Sequence, residues 1–233
     1  MHLYELYHIK YAAAYVRGVA IQSNNNLLPS ALIQKNLYEL TAEETEEIIE
    51  KGKAAGLKLY CFKNSHNDLP RVKRILGFLR SIEMNNLLDA GSGRGVFLWS
   101  CLNAFPWIEV TSIDLLPHRV EMLNTVRQGG VTTLNAVVGD ICSLETLYKS
   151  YDVVTLLEVL EHIPKPLAAI QSAVRIAKKF VAVSVPSKPD NNPEHIHLLT
   201  KDILTDFFNQ AGCTRLHFDS VPGHLIMIAA LEV

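Results

Sequence analysis

The sequence predicts an α/β protein with a doubly wound, mostly parallel sheet that carries helices on both faces. From residue 85 onward, short apolar stretches alternate with helical stretches of roughly 10–15 residues, the pattern of consecutive βαβ units. Residues 151–157 are apolar almost throughout, as expected of a central strand buried on both faces. The chain has 233 residues, of which 48% are hydrophobic and 20% are charged, so it is long enough to bury a complete core.

The sequence of residues 1–84 predicts a mainly helical extension that precedes this sheet in the chain. Thr41 and Glu44 have the spacing of a capping box, which marks the start of a helix. Pro70 suits the first turn of another helix. We expect residues 1–84 to form an extension or lid over a core at 85–233, because appended helices and loops select substrates while the sheet supplies the site.

A glycine-rich turn follows the first predicted strand. Residues 87–95 read LLDAGSGRG, and the apolar residues after them open a helix. Gly91 and Gly93 lack a Cβ, so they can adopt positive φ and let a ligand approach bare backbone, while the helix N-terminus offers unpaired N–H groups. The spacing is G-x-G-x-G behind the acidic Asp89, and it differs from the dinucleotide fingerprint G-x-G-x-x-G. The turn therefore predicts a site for an anionic or nucleoside-bearing ligand.

Two further strand ends carry acidic residues in positions that suit a nucleoside. Asp114 ends a predicted strand and follows Asp89 at close to the ~20-residue offset at which an acid meets ribose hydroxyls. Asp140 comes just after a third predicted strand end, at residues 137 and 138. Several such features in this order are far more specific than a glycine turn alone.

Residues 89–95 resemble the first motif of class I S-adenosylmethionine-dependent methyltransferases, and the later acids follow the order of that family. The resemblance implies a seven-stranded sheet whose last pair is antiparallel, with S-adenosylmethionine as the cofactor. It places the methionine end of the cofactor by the glycine turn, the ribose at Asp114, and the adenine at Asp140 and Ile141. The full set of implied cofactor-binding residues is Asp89, Gly91, Gly93, Gly95, Asp114, Leu115, Asp140 and Ile141.

Candidate catalytic residues follow the fourth and fifth predicted strands. Ligands of open α/β sheets bind at the carboxyl ends of the strands, so polar side chains there should meet beside the methyl donor. Methyl transfer from a sulfonium needs an aligned nucleophile, and it needs a general base when the acceptor is an oxygen or a protonated nitrogen. Glu158, His162 and His195 are the candidates for that role.

A metal hypothesis uses an overlapping set of side chains. Glu158, Glu161, His162 and His195 could hold Mg²⁺ or Mn²⁺, which would bind adjacent hydroxyls and activate one of them for attack on the methyl group. This set resembles the metal site of small-RNA 3′-end 2′-O-methyltransferases, which share the E-x-x-E-H strand end and a later histidine. Metal-free small-molecule methyltransferases of the class carry a similar strand end, so a histidine that lines the pocket or acts as a base is the alternative.

Composition favours a small-molecule partner over a nucleic acid. The formal net charge is −2, although Arg71 and Arg74 would share one face of the helix after Pro70. No stretch approaches the ~18 consecutive apolar residues of a membrane span, and the first residues lack the pattern of a signal peptide. The four cysteines form no C-x-x-C pair and are expected to be reduced thiols. We therefore expect a cytoplasmic protein with no membrane partner.

Three functions are compatible with these features. The sequence favours a methyltransferase that acts on a small-molecule acceptor. A metal-dependent RNA 2′-O-methyltransferase would need the metal set and a groove near Arg71 and Arg74. A binding module could hold S-adenosylmethionine without turnover. The sequence leaves the acceptor atom, the use of a metal and the oligomeric state open.

Overall fold

The computed structural model describes residues 8–23, 26–63, 67–144 and 148–231, whose strands form one seven-stranded sheet. The strands in chain order are β1 (Asn86–Ala90), β2 (Glu109–Asp114), β3 (Leu134–Val138), β4 (Tyr151–Leu157), β5 (Ala177–Pro186), β6 (Arg215–Val221) and β7 (His224–Ala230).

The order of strands across the sheet is β3-β2-β1-β4-β5-β7-β6. Strands β1 to β5 pair in parallel, and β7 pairs antiparallel with both β5 and β6. The predicted doubly wound sheet with an antiparallel last pair is thereby confirmed. The chain runs outward from β1 in one direction and from β4 in the other, so the order reverses between these two neighbours. A ligand crevice is expected at the carboxyl ends of such a pair.

Eight α-helices lie in the described part of the chain, and none of them is both long and apolar enough to cross a bilayer. Thr41 and Glu44 form the predicted capping box at the start of the third helix. The helices are α1 (Ile9–Ser23), α2 (Ser30–Gln34), α3 (Ala42–Ala54), α4 (Pro70–Arg80), α5 (Leu98–Ala104), α6 (Pro117–Gln128), α7 (Pro166–Ile176) and α8 (Lys201–Gln210).

Alternate residues of a strand pack into two hydrophobic clusters, one on each face of the sheet. Leu87 packs into a cluster with the N-terminal helices, α5 and α6, whereas the next residue, Leu88, packs into a cluster with α7 and α8. The indole of Trp99 is fully buried in the first cluster, with its ring centroid 5.5 Å from that of Tyr11 and 5.0 Å from that of Phe62. The helical extension therefore packs against α5, on this face of the sheet, through buried aromatic side chains.

The helix after β4 begins later than its sequence suggests. Because proline suits the first turn of a helix, the sequence predicts that Pro164 begins this helix, whereas α7 begins at Pro166. A residue before proline is pushed out of the α region, and Lys165 accordingly has φ −125° and ψ 71°. The connection from β3 to β4 also departs from the βαβ pattern, because its described residues contain a short 3₁₀ turn, Ile141–Ser143.

Candidate functional site

Two cavities lie at the carboxyl ends of the parallel strands, and both are lined by Gly91 and Glu158. The larger cavity has a volume of about 510 Å³ and extends over the ends of β2 and β3. The smaller cavity, of about 180 Å³, lies between the glycine turn and α4. A ligand that occupies both cavities would therefore lie beside Gly91 and Glu158.

The glycine turn has the conformation that the sequence predicts. Gly91 and Gly95 have φ angles of 70° and 80°. A Cβ at Gly91 would come within 2.7 Å of Val159, and one at Gly95 would collide with the indole of Trp99. Both positions therefore exclude any larger residue, for reasons of backbone conformation and of space.

Asp89 stabilises this turn through hydrogen bonds. Its buried carboxylate accepts hydrogen bonds from the hydroxyls of Ser92, at 2.5 Å, and Thr155, at 2.6 Å. Burial raises the pKa of Asp89 to about 6, and the charge of Asp114 adds to that rise, while the two hydroxyls oppose it. Asp89 lines the smaller cavity, but both of its oxygens are engaged by the protein.

The other predicted cofactor-binding side chains line the larger cavity. They are Asp114, Leu115, Asp140 and Ile141. Asp114 accepts hydrogen bonds from the backbone N–H groups of Gly93, at 3.0 Å, and Leu116, at 2.9 Å, so it also ties the glycine turn to the end of β2. Asp140 accepts from the N–H of Cys142 at 2.9 Å and so caps the 3₁₀ turn. The structure thus brings together along one wall the acids that lie far apart in the sequence.

Glu158 stands at the junction of the two cavities in an unusual backbone conformation. Its φ is 58°, a region that residues with a Cβ rarely adopt. The hydroxyl of Ser184 donates to Oε1 at 2.7 Å, and Nε2 of His224 lies 3.0 Å from Oε2. Nothing in the local sequence pointed to Ser184 or His224, because both reach Glu158 through the pairing of β4, β5 and β7.

Glu161, His162 and His195 form a second group, whose potential ligand atoms lie within 4.8 Å of one another. Among the described residues, Glu158 is not part of this group, so three of the four residues in the metal hypothesis come together. Glu161 is fully buried, and neither carboxylate oxygen has a hydrogen-bond partner in the described part of the chain. Burial raises the pKa of Glu161 to about 8, with a further contribution from the charge of Glu158.

Both histidines of this group are anchored through Nδ1. Nδ1 of His162 lies 2.9 Å from the carbonyl oxygen of Glu194, and Nδ1 of His195 lies 2.8 Å from a carboxylate oxygen of Asp190. These oxygens accept, so Nδ1 donates and Nε2 is left to accept a proton or bind a metal. Sequence reasoning missed Asp190, although its position five residues before His195 in a turn-rich loop is a signal for such a contact.

The buried Glu161 carboxyl predicts a pH-dependent stability. Because its pKa is raised, the folded protein holds a proton that the unfolded chain has released above the ordinary value of 4.5. The free energy of unfolding should therefore fall as the pH rises from about 4.5 through about 8. Glu161→Gln keeps the size of the side chain and removes its ionisable group. Urea denaturation in metal-free buffer should therefore show that, as the pH rises toward 8, the free energy of unfolding of the variant increases relative to that of the natural protein. Parallel pH profiles for the two proteins would contradict this expectation.

Arg71 and Arg74 of α4 each face a carboxylate. Arg71 lines the smaller cavity, and its Nε lies 3.9 Å from Oε2 of Glu158. Arg74 forms an ion pair with Asp219 of β6. The arginines that an RNA-binding groove would require are therefore paired within the protein.

A glycine turn, acids at successive strand ends and a two-part cavity define a nucleoside-binding protein with the class I methyltransferase fold. The family described as "Methyltransferase domain" matches residues 62–217, and the chain belongs to that family. The predicted resemblance to S-adenosylmethionine-dependent methyltransferases is thus confirmed.

Solved structures share the fold at low sequence identity. An S-adenosylmethionine-dependent methyltransferase from Aquifex aeolicus has a TM-score of 0.58 at 16% identity, over 72% of this chain and 93% of that one. The methyltransferase domain of bacterial CtHen1 has a TM-score of 0.58 at 16% identity, over 70% of this chain and 97% of that one. Magnesium protoporphyrin IX methyltransferase from Synechocystis, solved with bound S-adenosylmethionine, has a TM-score of 0.55 at 19% identity, over 70% of this chain and 78% of that one.

Curated relatives resemble part of the chain more strongly. The ubiquinone biosynthesis O-methyltransferase of Vibrio cholerae is 32% identical over 121 residues, which are 50% of this chain and 48% of the relative. The enzyme of the same name from Nitrosomonas europaea is 31% identical over 120 residues, 50% of each chain. The chain spans about half the length of the curated relatives it matches.

Proposed function

We propose that the protein transfers the methyl group of S-adenosylmethionine to a hydroxyl oxygen of a small molecule. The observation that carries this proposal is the two-part cavity, which suits adenosine on one side and an amino acid on the other. Asp114 and Asp140 line the larger part, where they would receive the ribose hydroxyls and the adenine amine. The relatives' name, ubiquinone biosynthesis O-methyltransferase, supports an oxygen acceptor.

S-adenosylmethionine supplies a methyl group that is already activated by the sulfonium, so the protein's main task is to align the acceptor and remove its proton. His195 is one candidate base, because Asp190 holds Nδ1 and leaves Nε2 to accept a proton, and its ring centroid lies 4.8 Å from that of His162, which lines the larger cavity. His162 is the second candidate, anchored by the carbonyl of Glu194. Glu158 is less suited to that role, since both of its oxygens are already engaged by Ser184 and His224.

The extension at residues 1–84 is proposed to cover the site and select the acceptor. Its helix α4 brings Arg71, Val72 and Ile75 to the wall of the smaller cavity. We also propose a cytoplasmic location, which the four free cysteine thiols of the structure support.

The test of this function is a transfer assay with S-adenosylmethionine that carries an isotopically labelled methyl group. The acceptors are a panel of small hydroxylated compounds, with short RNA oligonucleotides as a separate arm. We expect S-adenosylhomocysteine and a labelled O-methyl product in equal amounts from a compound of the first arm. Label transferred only to RNA, or to no acceptor in either arm, would overturn the proposal.

One observation favours a metal-assisted variant of this reaction. The buried carboxylate of Glu161, which has no hydrogen-bond partner in the described part of the chain, lies beside two imidazoles whose Nδ1 atoms are anchored, and this donor set fits Mg²⁺ or Mn²⁺. Glu161, His162 and His195 would hold the ion, which would lower the pKa of an acceptor hydroxyl. The two roles of the imidazoles exclude each other, because a nitrogen that binds a metal cannot also accept a proton.

A chelator separates the two variants. If His195 acts as a free base, exhaustive treatment with EDTA leaves the methyl-transfer rate unchanged. If the three residues hold a metal, EDTA abolishes transfer, added Mn²⁺ restores it, and Glu161→Gln prevents the restoration. Calorimetry of Mn²⁺ binding to the natural protein and to Glu161→Gln gives a readout that does not depend on activity.

A further inference from the structure

A third cavity lies within the helical extension and shares no lining residue with the two cavities at the strand ends. It has a volume of about 420 Å³ and is bounded by the first turns of α1 and α3, by a 3₁₀ turn at Leu37–Glu39 and by the last turn of α5. This volume is in the range of small-molecule sites. The methyl-transfer reaction gives this cavity no role.

The charged groups that line this cavity favour a negatively charged occupant. Lys10 lines it, with Nζ 4.5 Å from the centre of the Tyr38 ring. The described residues that line it include no carboxylate, and α1 begins there with the positive end of its dipole. The carboxylate of Glu44, which closes the capping box of α3, is already engaged by Lys35, at 2.7 Å, and by the N–H of Thr41, at 2.8 Å.

Two buried polar side chains near the cavity lack partners that buried groups normally have. Tyr11 lines the cavity at 3% exposure with its ring stacked on Trp99, and its hydroxyl makes no hydrogen bond with the described residues. Arg17, at 4% exposure, lies one turn along α1 from Ala13, which also lines the cavity.

The guanidinium of Arg17 is only partly satisfied. Nη2 donates to the carbonyl oxygens of Ile33 and Lys35, both at 2.6 Å, whereas Nε and Nη1 have no hydrogen-bond partner in the described part of the chain. Burial lowers the pKa of Arg17. Because burying a cation without a counter-ion costs free energy, an anion held in the neighbouring cavity would offset part of that cost.

The rest of the wall suits an organic body. Ile9, Leu37 and Leu40 contribute aliphatic side chains, and Tyr11 and Tyr38 contribute aromatic rings. A flat apolar group would cover these side chains, whereas an inorganic ion alone would leave them in contact with water.

We propose that this cavity binds a small organic anion, whose carboxylate or phosphate group accepts from Lys10 and from the Tyr11 hydroxyl while its apolar body lies against the aliphatic and aromatic wall. Hydrogen bonds from an ammonium group to an oxyanion are among the stronger contacts in proteins. The site is separate from the catalytic cavities, and the inference does not depend on the identity of the cofactor.

Benzoate and phenyl phosphate are the probes, because they share an apolar ring and differ in the anionic group. Benzyl alcohol has the ring without the charge, and inorganic phosphate has the charge without the ring. Calorimetry with the natural protein should show that benzoate or phenyl phosphate binds at least about 10-fold more tightly than either comparison ligand. The tighter of the two probes identifies the anionic group that the site takes.

Substitutions in the cavity locate this binding. Lys10→Gln removes the cation and Tyr11→Phe removes only the hydroxyl, so each should weaken the tighter probe by about 10-fold and leave benzyl alcohol within about twofold. Lys58→Gln and Tyr60→Phe, which change exposed side chains of the extension outside this cavity, are the matched controls and should keep the natural affinity. Arg71→Gln should also keep it, because Arg71 lines the smaller catalytic cavity.

Trp99 gives a measurement that needs no change in the cavity itself. The chain has two tryptophans, so in Trp107→Phe the tryptophan emission comes from Trp99 alone, which stacks on Tyr11. Saturation with the tighter probe should shift this emission, and benzyl alcohol at the same concentration should shift it less.

Organic anions that bind no more tightly than benzyl alcohol would overturn the inference. Natural affinity in both Lys10→Gln and Tyr11→Phe, or a loss of affinity in Arg71→Gln, would overturn it as well, because the anion would then lie elsewhere. Inorganic phosphate that binds as tightly as both probes would refute the organic body of the ligand. An unchanged Trp99 emission at saturation would also contradict this location.

Discussion

Replacing His195 with alanine is expected to lower kcat for methyl transfer by about 10²- to 10⁴-fold, the usual contribution of a general base. The affinity for S-adenosylmethionine should stay close to that of the natural protein, because His195 lines neither of the two cavities in the structure. Asp190→Asn should lower kcat in the same direction and by less, since the amide still contacts Nδ1 but no longer stabilises a protonated imidazole. Single-turnover rates with saturating cofactor measure both effects.

His197→Ala is the control for this experiment, because it removes a histidine from the same loop two positions away. It should change kcat far less than His195→Ala does. Equal losses in the two variants would show that the loop, and not the His195 imidazole, matters for the rate. Natural rates in His195→Ala would remove this residue from the mechanism.

Replacing Asp114 with alanine is expected to weaken S-adenosylmethionine binding by roughly 1–3 kcal/mol, the range for polar groups left without a partner. Two causes act together here. The ribose hydroxyls lose their proposed acceptor, and the N–H of Gly93 loses the carboxylate that ties the glycine turn to β2. Calorimetry should show the loss while the far-ultraviolet circular dichroism and the cooperative unfolding transition are retained.

Asp206→Asn is the matched control, since this exposed acid on α8 lies outside both cavities. Its affinity for S-adenosylmethionine should equal that of the natural protein. If Asp114→Ala also binds normally, the larger cavity does not hold the ribose where we place it.

The sequence predicts those parts of the site whose conformation is determined within one short segment of the chain. The turn from Asp89 to Gly95 combines a strand end, positive φ angles and a helix start within a few residues, so its glycines are readable without tertiary information. Asp114 and Asp140 are predictable for the same reason, because Asp114 ends β2, Asp140 comes shortly after the end of β3, and the carboxyl ends of parallel strands meet at one edge of the sheet.

The contacts around Glu158 could not be predicted in this way. Ser184 and His224 reach it because β5 lies between β4 and β7, and that neighbourhood depends on the order of strands rather than on sequence spacing. Likewise, no local sequence pattern shows that Glu161 is buried rather than exposed. Both Pro164 and Pro166 could begin α7. Because Lys165 precedes a proline, its backbone is kept out of the α region, so the helix begins at Pro166.

The central claim is that the cavities at the ends of β1 and β4 bind an adenosine linked to an amino acid. Calorimetric titration of S-adenosylhomocysteine into the purified protein tests it most directly, with NAD as a comparison ligand. The account predicts saturable one-to-one binding of S-adenosylhomocysteine and no measurable binding of NAD, because the glycine spacing differs from the dinucleotide fingerprint. A folded protein that binds NAD, or that binds neither S-adenosylhomocysteine nor S-adenosylmethionine, would contradict it.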